Sequence, residues 1–509
     1  MFAGAVAPRD VSAAPQQLPD VPSLLARYIA AADDPGALDV HKLESFGTIS
    51  GAGLEGSFHT WLEGDRERTD QMLGPRHDQS LRIGDEFWYA DSDGDVRMLT
   101  GILLRRERTQ EFIDSGDFAK APERCTLRGK VLIDRRQTYA LDVMPDGGET
   151  ETLYLDAITG LPDRIAYDDD DGRTTIDLFD WRTVSGHRFP YRTVTSDGDH
   201  AFDTTSITTR IDLSPSIALA VFAPFTARRI DMPAPGTVAL TAHDGHLFVP
   251  VRIHGHDYTF LLDSGSQNVL VDNHVATELG LAPVGALEAS GASRTGGLRV
   301  APLDELDVGS GRMHDLVVTT IDLGASTDGA FRIDGILGYP FFAAATVRLD
   351  IGGKTMTFGP PGSLLPAGEK LPIVVDRALL EGTLRLDRAT DAPFIFDTGN
   401  AGELLLYKPF MDKHAGIVPF SLTSRRSYGI GGGTSSYRST LDELDFGDVP
   451  LYHADTDVML ATSGAFADRF DAGNVGLGLL KNFIVTFDVA DASLYLQRAA
   501  DFDDGRTRN

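Results

Sequence analysis

A single cysteine in 509 residues, Cys125, leaves no intramolecular disulfide to form, so cysteine usage does not fix the redox compartment and the thiol reads as a small buried hydrophobe. Long apolar runs are missing too. None reaches the roughly 18 residues that a spanning helix needs, so no transmembrane segment is expected and the chain reads as soluble. Basic charge is scarce: 46 Lys and Arg stand against 75 Asp and Glu, a formal net charge of −29. Such a surface repels phosphate, which argues against a nucleic-acid partner. No His-Glu-x-x-His, Gly-x-Ser-x-Gly or phosphate-loop pattern occurs. His243 with His246, and His254 with His256, have spacings a metal could use, but they fall at turns with no thiolate or acidic helix beside them. No metal and no cofactor are therefore expected.

The length suggests about three domains at roughly 150 residues each. Residues 1–14 are rich in small side chains, like the end of a secretory signal, but lack a basic start and a full apolar stretch. Residues 22–32 place Leu24, Leu25, Tyr28 and Ile29 at helical spacing. Beyond about residue 47 the period changes. Short β-branched or aromatic segments (57–62, 86–90, 152–155, 164–167, 174–179) are separated by Gly, Asp and Pro, which reads as an antiparallel sheet. Trp61, Trp88 and Trp181 all fall in this region and are expected in its core. The run Asp168 to Asp171 lacks the spaced ligands of a calcium loop and reads as a solvated turn. Proline accumulates at 224–235, where a linker is expected.

Strand signals followed by Asp156-Ala-Ile-Thr-Gly-Leu-Pro162 and Asp180-Trp-Arg-Thr-Val-Ser-Gly-His-Arg-Phe-Pro190 resemble the curved-sheet domain of the outer-membrane-lipoprotein carriers. That resemblance, over residues 36–225, implies a sheet wrapped about a helix and an apolar ligand.

The second half repeats itself. Phe260-Leu-Leu-Asp-Ser-Gly-Ser266 returns as Phe394-Ile-Phe-Asp-Thr-Gly-Asn400, and Leu303-Asp-Glu-Leu-Asp-Val-Gly309 as Leu441-Asp-Glu-Leu-Asp-Phe-Gly447. Gly335-Ile-Leu-Gly338 returns as Val475-Gly-Leu-Gly478, and Val347-Arg-Leu-Asp350 as Val485-Thr-Phe-Asp488. Four blocks in one order predict two copies of a β-rich lobe, at 236–362 and 363–500, with a tail at 501–509. Within each copy an apolar strand runs into an acidic residue, and Gly265 or Gly399 then allows a tight turn. Residues 272–281 carry a capping Asp and helical spacing, so a short helix is expected after the first turn. Both copies continue into glycine-rich segments suited to hairpin tips, Ser290-Gly-Ala-Ser-Arg-Thr-Gly-Gly297 and Tyr428-Gly-Ile-Gly-Gly-Gly-Thr434.

Two such lobes would bring Asp263 and Asp397 face to face. Like charges that close cannot both ionise readily, so the pair shares a proton and can act as base and acid on a bound water. These motifs resemble the retropepsin/pepsin-type aspartic peptidases. The resemblance implies a bilobal, mainly β peptidase fold, an extended polypeptide substrate and a periplasmic or secreted location, with no complete signal peptide to support the last. It makes Asp263 and Asp397 catalytic, with Ser264 and Thr398 bonding across the lobes behind them and Gly265 and Gly399 forming the turns. Gly291, Gly296, Gly297, Gly429, Gly431 and Gly432 then lie in flaps over the cleft. Ser266 matches the position that bonds its lobe's carboxylate, and Asn400 departs from the usual Ser or Thr there. The alternative is a catalytically inactive peptide- or lipid-binding carrier on the same fold.

Overall fold

A computed structural model describes residues 18–32, 40–170, 172–291, 294–324, 332–421, 424–429 and 432–507. The chain is mainly β, as expected, with one large antiparallel sheet in its first part and two curled sheets in its second. No helix among the described residues is long and apolar enough to cross a membrane.

The first sheet has 13 strands, starting at Lys42–Gly51 and ending at Thr204–Asp212, which pair with each other at its centre. Its outer strands are Val96–Met98 and Cys125–Ile133, so the connection between them must pass from one edge to the other. Helix α1 (Val21–Ala32) packs Leu24 and Leu25 against Leu141, Leu153, Leu155 and Ile165, which form this sheet's apolar core with the buried Cys125. The connection between the two edges carries a second helix, α2 (Gly101–Asp114), which periodicity did not reveal. The sequence GILLRRERTQEFID has few apolar residues on one face. Its Glu111 lies 3.8 Å from Arg82, which also pairs with Glu67 at 3.5 Å, so α2 turns an acidic side towards the sheet. The three tryptophans are half-buried: Trp181 packs against the sheet's apolar core, whereas Trp61 lies against the His59 ring and donates to Glu44.

In the second part, the strands His256–Leu262 and Thr390–Phe396 occupy matching places in their lobes. Each runs parallel to a short strand, Gly335–Leu337 and Gly473–Val475 respectively. The lobes are joined by a shared sheet. Thr346–Asp350 pairs antiparallel with Phe483–Asp488, setting Val347 opposite Phe487 and Leu349 opposite Val485. Two blocks that are similar in sequence are thus each other's partners. A single apolar core, including Phe341, Phe358, Phe396 and Phe487, runs through both lobes.

The stretch at 226–235 is no free tether: Ile230 and Met232 are buried in that core and Asp231 bridges to Arg312. The first part docks on both lobes. Ala286 donates its amide to Ala52, Val317 to Asp93 Oδ1 at 2.7 Å, and Tyr339 its hydroxyl to Asp95 at 3.0 Å. Asp376 of the second lobe caps α2, accepting from the Ile102 amide at 3.1 Å. The acidic turn is likewise not simply solvated. Asp170 lies 2.8 Å from Arg377, which also holds Asp468 at 2.7 Å and Asp471 at 2.6 Å, and a buried guanidinium needs such partners.

Candidate active site

Asp263 and Asp397 each follow the last residue of an apolar strand, and their amides donate to Leu337 and Val475 on the parallel neighbours. Buried Phe260, Leu262, Phe394 and Phe396 anchor those strands. The carboxyl groups are left half-buried where the two lobes meet.

Behind them Ser264 and Thr398, both fully buried, exchange four hydrogen bonds across the lobes. Ser264 Oγ donates to the Phe396 carbonyl (2.6 Å) and Thr398 Oγ1 to the Leu262 carbonyl (2.9 Å). In return each hydroxyl accepts the other residue's amide, at 3.0 and 2.9 Å. The two hydroxyls thereby satisfy the buried amides of Ser264 and Thr398 and the carbonyls of Leu262 and Phe396, and they tie one lobe to the other.

The glycines are required by proximity. A Cβ on Gly265 would lie 2.6 Å from the Asp397 carboxyl carbon, and one on Gly399 would lie 2.3 Å from that of Asp263. Each turn passes directly beneath the opposite lobe's carboxylate. Gly338 and Gly476, the glycines closing the apolar blocks, are pressed as closely on the loop backbones at Ser266 and Asn400.

Asp263 Oδ1 accepts from the Gly265 amide at 2.9 Å; Asp397 Oδ1 accepts from the amides of Gly399 (2.8 Å) and Asn400 (3.1 Å). Burial, and then the neighbouring charge of Asp397, pushes Asp263 well above the ordinary carboxylate range. Burial raises Asp397 as well, but the hydrogen bond with Asp263 and the Gly399 and Asn400 amides pull it back. Each carboxyl group thus lies over the other lobe's glycine turn and is partly exposed to solvent.

Ser266 does not do what its position implied. Its hydroxyl donates to the Asn268 carbonyl at 3.1 Å, because the loop turns that carbonyl towards it, and only the backbone of Ser266 serves Asp263. Asn400 also acts at one remove, passing its side-chain amide to Asn474 Oδ1 at 2.8 Å. Asn474 then donates to Asp397 Oδ2 at 2.7 Å. Asn474 was missed from sequence. The signal was present, since it stands in the second lobe where the first has Ile336, an amide in an apolar strand.

Of the glycines assigned to flaps, Gly291 closes the strand Val284–Ser290, and its carbonyl accepts the Ala465 amide of the second lobe at 2.8 Å. That hairpin therefore reaches from one lobe to the other. Gly296 and Gly297 belong to its return strand, Arg294–Val308, while Gly429 and Gly432 pair at the end of the second hairpin. Gly431 lies outside the described residues. The described residues hold no group of three or more His, Cys, Asp or Glu able to bind a metal.

Residues 249–341 match the family model described as aspartyl protease, so the chain carries an aspartyl protease family domain there, with Asp263 inside it. No curated protein matches the chain. Among solved structures, it is similar to a LolA superfamily protein of Nitrosomonas europaea at 14% identity, covering 40% of this chain and 98% of that one with a TM-score of 0.28. It is also similar to a DUF1329 family protein of Desulfovibrio piger at 13% identity, covering 40% and 95% with a TM-score of 0.29. A structure described as an outer membrane lipoprotein-sorting protein domain, from Vibrio parahaemolyticus, is 9% identical, with coverage of 40% and 95% and a TM-score of 0.28.

Proposed function

We propose that the chain is an aspartic endopeptidase in which Asp263 and Asp397 activate one water between two copies of the same lobe, 236–362 and 363–500. The observation that carries this reading is the reciprocal setting of the two carboxyl groups, each seated over the other lobe's glycine turn. A module that only binds chains has no need of a buried like-charged pair, which costs stability unless a proton is shared. One carboxylate takes a proton from the water while the other gives its proton to the substrate carbonyl, so the peptide bond is hydrolysed without a covalent intermediate. An extended polypeptide would lie beneath the hairpin that reaches from Gly291 to Ala465. The test is cleavage of an unbiased peptide mixture by purified protein, compared with Asp397→Asn. Cutting by the wild type alone is expected, and a folded wild type that cuts nothing would leave the peptide-binding carrier in its place.

The same reading gives the first domain, 36–225, a carrier-like role for an apolar ligand. Support comes from a depression of about 450 Å³ lined by Arg66, Ile83, Leu219, Ala220, Phe222 and Ala223. The folded protein should enhance the fluorescence of a hydrophobic dye, and Phe222→Asp should abolish this. No enhancement would leave that domain a spacer.

A further inference from the structure

The two carboxyl groups are not served alike. In the second lobe a directed chain of donors ends on Asp397. The Gly402 amide donates to Asn400 Oδ1 at 2.8 Å, Asn400 Nδ2 to Asn474 Oδ1 at 2.8 Å, and Asn474 Nδ2 to Asp397 Oδ2 at 2.7 Å. A backbone N–H can only donate, so Gly402 sets which way the Asn400 amide faces, and Asn400 sets the amide of Asn474. With the Gly399 and Asn400 amides on Oδ1, both oxygens of Asp397 face donors. The first lobe has nothing comparable. Ile336, buried beside Leu261, takes the place that Asn474 takes beside Ile395, and the Ser266 hydroxyl is turned to Asn268. Among the described residues no side chain of the first lobe donates to Asp263.

We infer that Asn474 is a positioning residue that holds Asp397 in its ionised form, so that Asp397 is the base that takes the water's proton and Asp263 the acid that protonates the carbonyl. This deepens the peptidase reading and rests on it. In the first step the water's O–H bond breaks, its proton passes to Asp397 and its oxygen bonds the carbonyl carbon. The carbonyl π pair moves to oxygen, which takes the proton of Asp263. In the second step the C–N bond breaks, the nitrogen takes the proton from Asp397, and one hydroxyl of the diol returns a proton to Asp263. The pair ends as it began.

The test uses the full chain carrying Asn474→Leu, which places a hydrocarbon as the first lobe does, and separately Asn400→Ala, which frees the far end of the chain. Both are followed by carboxyl ¹³C titration, with Asp397 identified by its loss in Asp397→Asn, and by the pH profile of peptide hydrolysis. A hydrogen bond to a charged group lost on one side corresponds to about one to two pH units. Asn474→Leu should raise the lower of the pair's two titration values by that amount and move the acid limb of kcat/KM with it, leaving KM within about twofold. Asn400→Ala should shift both the same way by less, and it decides the matter if Asn474→Leu does not fold. Titration unchanged from wild type in a folded variant overturns the assignment. A wild type that hydrolyses no peptide would sink the peptidase reading alone, because the carboxyl titration reports on Asn474 without activity.

Discussion

The two lobes place the same backbone around different polar inventories. Both bring a strand to an aspartate, turn at a glycine and return through a short parallel strand. Their first hairpin turns also match in place. The turn at Asp244 and Gly245 in the first lobe lies against Ala401, while Arg377 in the second accepts Gln267 Nε2 on its carbonyl at 2.6 Å. Yet the first lobe offers Ser266, Ile336 and Asp244 where the second offers Asn400, Asn474 and Arg377. The backbones match, while the differing side chains give each carboxylate its own environment and, through Arg377, add an ion pair between the second lobe and Asp170 of the first part.

The comparison breaks most severely if the aspartates prove unequal. Asp263→Asn and Asp397→Asn should each lower peptide hydrolysis by about 10³-fold or more, and the double substitution should add little, as for groups acting as a unit. One single variant retaining most activity, measured by single-turnover cleavage, would mean that the lobes do not share a site.

Next in size come the glycine turns. Gly399→Ala puts a methyl group 2.3 Å from the Asp263 carboxyl carbon and Gly265→Ala one 2.6 Å from that of Asp397. Each should separate the carboxyl groups and cost about 100-fold in kcat, since small misplacements at a reacting centre have effects of that order. Near-wild-type turnover in either would show that the turns do not set the pair's spacing.

Thr398→Val removes the donor to Leu262 and the acceptor for the Ser264 amide. A loss of about 2–4 kcal/mol in unfolding free energy is expected, because both stranded groups are buried. Chemical denaturation of Ser264→Ala alongside it should give a loss of similar size, and a large inequality would mean that one lobe dominates the shared interior.

A smaller effect separates the lobes at Arg377. Burial pushes Asp170 up to about 6 and also raises Glu381 and Asp471. These groups keep protons in the folded chain that the unfolded chain has released. Their contribution is therefore full at acid pH, below the ordinary carboxylate range, and is lost as pH rises through that range towards the folded values. Unfolding free energy should fall between about pH 4 and pH 6 on this account, and Asp170→Asn should reduce that fall by on the order of 1 kcal/mol, discounted because the group is partly exposed. An unchanged slope would remove Asp170 from the account.

The smallest effect is expected at Ser266. Ser266→Ala breaks only a bond to Asn268 and should change kcat less than about twofold, whereas Asn400→Ala acts on Asp397 through Asn474. A large loss in Ser266→Ala would restore the symmetric picture.

By itself the sequence determined the parts whose causes are local. Helix α1 followed from the spacing of Leu24, Leu25, Tyr28 and Ile29, and the cap of the helix Asn273–Glu278 from Asp272, which accepts the His274 amide. Asp263, Ser264, Gly265, Asp397, Thr398 and Gly399 were legible because a strand, an acid and a turn glycine lie within a few residues and occur twice. Only the tertiary structure decided the rest. Helix α2 has little amphipathic pattern and starts where Asp376 caps it from 274 positions away. Asp170 could be read as a solvated turn until Arg377 was brought to it, and Asn474 as one polar residue in a strand until Asp397 was set beside it. Periodicity and turn chemistry report what the backbone does with its immediate neighbours. A hydrogen bond between residues tens or hundreds of positions apart depends on how packed elements meet, and no spacing along the chain encodes that.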